Sequence, residues 1–157
     1  MTGAAIPEPG LRPLCRLRIT LGDPIELGRT ARGIRRIIPI TGGSVEGARL
    51  SGRILAFGAD WQTILADGTA ELDARYILET DDGARIDIRN WGLRHGPPEI
   101  LAALARGEAV DPAHYYMRTH PRFETGDERY AWLNRGLFVG SGRRDADAVH
   151  LSFFELV

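Results

Sequence analysis

Tyr130, Trp132 and Asn134 stand two residues apart in the run from Phe123 to Asn134. Successive side chains of a strand point to opposite faces, so this spacing predicts a phenol, an indole and an amide on one face. A plain core face would carry Val, Ile and Leu, and a solvent face would be charged or rich in Thr. Flat apolar surface with a few hydrogen-bonding groups is the composition of a small-molecule pocket wall.

Other strands carry similar polar exceptions. Arg36 alternates with Ile34, Ile38 and Ile40. A guanidinium on that face must find a counter-charge, because an unpaired buried charge is costly. It either clamps an anion or carbonyl group, or pairs internally with an acid such as Asp60 or Glu124. Asp60-Trp61-Gln62 follows Gly58-Ala59, where glycine permits a bulge. At a barrel rim that bulge would aim Asp60 into the lumen as general base or substrate anchor, unless Asp60 closes an Asx turn on its own backbone. Tyr76 and Asn90 fall on the inner faces of one hairpin, where a hydroxyl and an amide satisfy each other or meet a ligand. Arg118 and Glu124 either pair, or Glu124 acts as an acid-base carboxyl raised by burial. The candidate catalytic residues are thus Asp60, Glu124 and Tyr76. The candidate ligand-binding residues are Arg36, Trp61, Asn90, Arg118, Tyr130, Trp132 and Asn134.

Several chemistries are excluded. All 20 basic residues are arginine, which rules out a lysine Schiff base, a lysine general base and a P-loop. The net charge of −1 speaks against a nucleic-acid or anionic-membrane partner. His95, His114, His120 and His150 have no metal-ligand spacing, and no serine sits in a nucleophile elbow. Cys15 alternates with Leu17, Ile19 and Leu21 and reads as a small buried side chain, with no second cysteine for a disulfide. The N-terminus has no signal-peptide pattern, and no apolar run would span a membrane as a helix. A cytoplasmic protein without metal or organic cofactor is expected.

The elements that must position these residues are short strands. Glycine and Asx turn signals recur from Gly22-Asp23-Pro24 to Gly140-Ser141-Gly142, with period-2 runs between them. The clearest hairpin joins 69–79 to 84–91, with Leu72, Ala74, Tyr76 and Leu78 facing Ile86, Ile88 and Asn90 inward. A last strand is expected near 148–156. One helix opens at Pro97-Pro98-Glu99 and closes at Arg106-Gly107. The predicted fold is all-β: an antiparallel barrel of about nine strands with one short helix plugging an end. Residues 1–13 read as a loose leader and 14–157 as one domain.

Several segments together resemble the domain-of-unknown-function family 3237 of bacteria and fungi. They are residues 33–43, Gly58 to Gln62, Leu72 to Tyr76, Tyr116 to Thr119, Phe123 to Thr125 and Tyr130 to Asn134. The resemblance runs from about residue 14 to the end. It implies a β-barrel with one short helix and no assigned reaction. It favours Arg36, Asp60, Trp61, Tyr76, Asn90, Arg118, Glu124, Trp132 and Asn134 as pocket residues.

The leading expectation is a barrel that binds an oxygenated or aromatic metabolite. A hydrolase, lyase or isomerase using Asp60 or Glu124 as acid-base group is the alternative. A structural module with no ligand is the third reading, and it requires an interior with no pocket above ~300 Å³. Leu133, read as outward-facing, leaves room for a homodimer.

Overall fold

Nine strands form one antiparallel sheet in a computed structural model that describes residues 3–157. They are β1 (Leu11–Leu21), β2 (Ile25–Thr30), β3 (Gly33–Glu46), β4 (Gly52–Ile64), β5 (Ala70–Thr80), β6 (Arg85–His95), β7 (Tyr116–Glu124), β8 (Leu137–Arg144) and β9 (Ala148–Leu156). Their order is β1-β9-β8-β7-β6-β5-β4-β3-β2, and β1 also pairs with β3. That second pairing closes eight strands into a barrel and leaves β2 as an added edge. β3 serves both neighbours in turn: residues 33–37 pair with β2, and residues 40–46 pair with β1.

Alternation fixes what faces the lumen. On β5, Leu72, Tyr76 and Leu78 are buried, and on β6 Ile86, Ile88 and Asn90 are buried beside them. Their outward neighbours form ion pairs at the surface, such as Arg75–Asp87 and Arg53–Glu79, each at 2.9 Å. β6 runs on to His95, four residues past the expected end, and the inward series continues through Gly92 to Arg94. Gly58 sits mid-strand at the register shift in β4 with φ +104°, and a Cβ there would lie 2.1 Å from the Arg75 carbonyl oxygen. Only glycine fits that approach.

The helix α1 (Pro98–Ala105) opens on proline and Glu99, as expected. Ile100, Leu101 and Leu104 pack on the core. It packs at one end of the barrel, and a basin lies open beside Leu101 and Leu104. β1 begins at Leu11, inside the segment expected to be a loose leader, and pairs there with Leu156 of β9.

The strand expected through Tyr130, Trp132 and Asn134 is instead a 3₁₀ helix, Glu128–Arg135. Asp127 decides this locally. Its carboxylate accepts from the Arg129 backbone N–H at 3.0 Å, and its carbonyl accepts from the Tyr130 N–H at 3.0 Å. Such Asx capping competes with strand pairing. The three side chains therefore diverge. The Tyr130 hydroxyl donates to Asp82 at 2.9 Å, and Trp132 lies under the Arg49 guanidinium at 4.8 Å. Asn134 brackets Thr125, accepting from its N–H at 2.9 Å and donating to its carbonyl at 2.8 Å. Leu133, expected to face outward, is 1% exposed and plugs this end of the barrel.

Candidate functional site

The polar exceptions gather at the other end of the barrel. A lumen cavity of about 40 Å³ is lined by Asp60, Gln62, Tyr76, Asn90, Arg94 and Thr119 among apolar residues. Next to it, under β2 and α1, lies an open basin of about 500 Å³ whose wall includes Arg36, Arg94 and Arg144. Leu21 and Arg94 line both spaces and form the partition between them.

Asp60 and Gln62 are two apart on β4, so both face inward. The Gln62 amide nitrogen donates to Asp60 Oδ2 at 2.7 Å, and the Asp73 backbone N–H donates to Oδ1 at 2.9 Å. At its other end Gln62 accepts from Arg36 Nε at 2.8 Å. Arg36 thus reaches Asp60 only through a neutral amide, and neither expected ion pair forms. Protein surrounds the Asp60 carboxyl, yet part of its surface faces the cavity, so it is enclosed without being sealed. Burial raises its pKa above the usual 3.8, against the opposing pull of Gln62, the Asp73 N–H, Arg94 and Arg144.

Arg94 is 6% exposed, and its side chain makes no hydrogen bond or ion pair among the described residues. Burial first, then Arg144 and Arg36, push its pKa down to about 10, so it stays a cation at neutral pH. The Arg144 side chain is also shifted down by burial and by Arg36, and its Nε is buried without a partner. The Arg144 backbone N–H donates to the Tyr115 hydroxyl at 2.9 Å. Deeper in, the Tyr76 hydroxyl, Asn90 Oδ1 and Thr119 Oγ1 are buried with no hydrogen-bond partner. Asn90 stands opposite Ala74, diagonal to Tyr76. The Tyr76 hydroxyl approaches the Asn90 amide without hydrogen-bond geometry, so the two do not satisfy each other. Burial pushes the Tyr76 phenol far above its usual range, leaving it a neutral donor.

Asp60, Tyr76, Asn90 and Arg36 thus come together around the lumen and basin. The remaining expected site residues lie elsewhere. Trp61 points outward between inward-facing Asp60 and Gln62, and is 39% exposed. Arg118 faces outward between buried Met117 and Thr119, over the Tyr116 ring at 5.5 Å. Glu124 is exposed on the outer wall beside Arg75 and Arg122, without the burial expected of it and without a bond to Arg118. Tyr130, Trp132 and Asn134 belong to the plugged end. Reading the residues singly missed Gln62, Arg94, Thr119 and Arg144. Strand alternation holds the signal for each: Asp60 to Gln62, Asn90 to Arg94, Met117 to Thr119 and Gly142 to Arg144.

Fold and site define an eight-stranded antiparallel barrel, plugged at one end, with a buried polar centre beneath a ligand-sized basin. The chain belongs to the family described as protein of unknown function DUF3237, whose profile matches residues 9–156. A UPF0311 protein of Rhodopseudomonas palustris is 50% identical over 137 residues, 87% of this chain and 90% of that protein. The crystal structure of a conserved R. palustris protein of unknown function superposes with a TM-score of 0.94 at 45% identity, covering 97% of this chain and all of that one. A hydroalkoxylation enzyme of Penicillium herquei is 27% identical over 132 residues, 84% of this chain and 73% of that enzyme. A crystal structure of an enzyme from the same fungus has the same fold, with a TM-score of 0.73 at 23% identity. Among the described residues no cluster of three or more His, Cys, Asp or Glu could hold a metal ion, and no helix is long and apolar enough to cross a membrane.

Proposed function

We propose that the basin binds a small oxygenated molecule and that Asp60 transfers a proton to or from it, in a lyase or isomerase reaction. The observation that carries this reading is the Asp60 carboxyl itself. It is enclosed, shifted toward neutrality and open to a cavity, and no guanidinium pairs with it although Arg36, Arg94 and Arg144 surround it. Environments of this kind suit a carboxyl to proton transfer near neutral pH.

The volumes limit how the molecule sits. The 40 Å³ lumen has room only for a small group such as a hydroxyl or carbonyl. The 500 Å³ basin lies in the usual ligand range and would take the body of the molecule. The lumen alone meets the size condition of a purely structural module, so the ligand-site reading rests on the open basin beside it. The hydroalkoxylation relative supports one reaction type, the addition of an O–H across a carbon–carbon double bond. Asp60 would take the hydroxyl proton as the oxygen bonds to one carbon and the π pair of the double bond moves to the other, which then takes its proton from the Asp60 carboxyl, exchangeable with solvent. Tyr76, a neutral donor, and Asn90 would orient the oxygen.

Incubation in D₂O with phenols that carry pendant alkenes tests this. Cyclised product with deuterium on carbon is expected from the wild type and not from Asp60→Asn. A second reading, a binding barrel without turnover, draws on the two hydrogen bonds that Asp60 already accepts. Ligand-induced stabilisation with no product from either protein would favour it.

A further inference from the structure

We propose that the molecule held in the basin carries a carboxylate, gripped at the basin floor by Arg94 and Arg144 with Arg36 beside them. This rests on the reading of the basin as a ligand site and adds the class of ligand. Arg94 is nine-tenths buried and lines basin and lumen, and its side chain has neither hydrogen bond nor ion pair among the described residues. Arg144 Nε is buried and unpartnered. Arg36 spends only its Nε, on Gln62. Three guanidiniums therefore converge where the protein supplies one enclosed acid, Asp60, whose two oxygens already accept from Gln62 and Asp73. Buried cations without partners are costly unless a counter-charge arrives. A planar carboxylate matches the guanidinium fork with two parallel N–H donors.

The acids around the basin sharpen the class. Asp23, Glu26 and Asp147 line it but are exposed, and none pairs with the three arginines. Water screens them, so they leave the buried cations unneutralised. Leu21, Leu101 and Leu104 in the same wall suit the organic body that a carboxylic acid carries and inorganic phosphate lacks. A monocarboxylate is favoured over a phosphate.

Calorimetric titration of the full chain at low salt with benzoate, benzyl alcohol and inorganic phosphate tests the proposal. Benzoate is expected to bind at least about tenfold more tightly than benzyl alcohol, and phosphate more weakly than benzoate. Arg94→Met, which replaces an unpaired buried cation with an apolar chain, should lose about that factor for benzoate and much less for benzyl alcohol. Arg144→Met is the second variant, and the wild-type comparison needs neither. Binding of benzyl alcohol as tight as benzoate, preference for phosphate, or full benzoate affinity in both variants overturns the carboxylate assignment alone. No binding of any of the three overturns the ligand-site reading as well.

Discussion

Gln62 holds Asp60 through a hydrogen bond of 2.7 Å, so the most enclosed acid of the barrel is anchored by a neutral amide while the buried Arg94 and half-buried Arg144 stand nearby without ion pairs. An amide anchor fixes the carboxyl in place without neutralising it. That combination is what the proposed proton transfer requires.

The first consequence is a pH-dependent stability with a defined sign. Burial raises the Asp60 pKa above 3.8, so the folded state holds this proton more tightly than the unfolded chain. The Asp60 contribution to folding stability should fall as pH rises from 3.8 through the folded midpoint, then level off. Asp60→Asn should remove that slope, as followed by urea unfolding at several pH values. The same variant should lose about 10²–10⁴-fold in turnover if Asp60 is the acid-base group.

Gln62→Leu should move the Asp60 midpoint further up. The Gln62 hydrogen bond favours the ionised form, and its loss leaves burial less opposed. An upward shift of the Asp60 carboxyl resonance titration in the variant is the expected result. A midpoint unchanged from the wild type would mean that the amide does not tune the acid.

Tyr76→Phe removes a buried hydroxyl that has no partner. An unsatisfied buried polar group costs about 1–3 kcal/mol, so the variant should match or exceed the wild-type unfolding midpoint. If the hydroxyl orients the reacting oxygen, turnover should fall while stability does not. A marked loss of stability would show that the hydroxyl has a partner in solution.

Substitutions at the plugged end should act on stability alone. Asn134→Ala breaks both hydrogen bonds to Thr125 and should cost about 1–2 kcal/mol in urea unfolding at constant m value. Trp132→Ala, which strips the ring from under Arg49, should also destabilise. Neither should change affinity for a ligand at the basin.

The barrel was legible because alternation and turn signals are properties of short segments. Leu72 to Leu78 and Ile86 to Asn90 announce their inward faces without knowledge of their neighbours. The failures have physical causes. The Asp127 side chain turns Glu128–Arg135 into a 3₁₀ helix, and two-residue spacing then no longer means a shared face. Trp61 adjoins Asp60 in sequence, and adjacent strand residues face opposite ways. Arg94 lies beyond the expected end of its strand, which continues past Asn90 to His95. The convergence of Arg36, Arg94 and Arg144 was not legible at all. It depends on which ends of β3, β6 and β8 meet when the sheet closes, and local sequence does not encode that.

The ionisation of Asp60 itself is the most direct test of the central claim. Carboxyl-¹³C NMR titration of the wild-type chain, assigned by its absence in Asp60→Asn, reads it without any substrate. The account predicts a midpoint clearly above 3.8. A midpoint at or below 3.8 would describe a carboxylate kept ionised by the arginines around it, and would contradict a role in proton transfer.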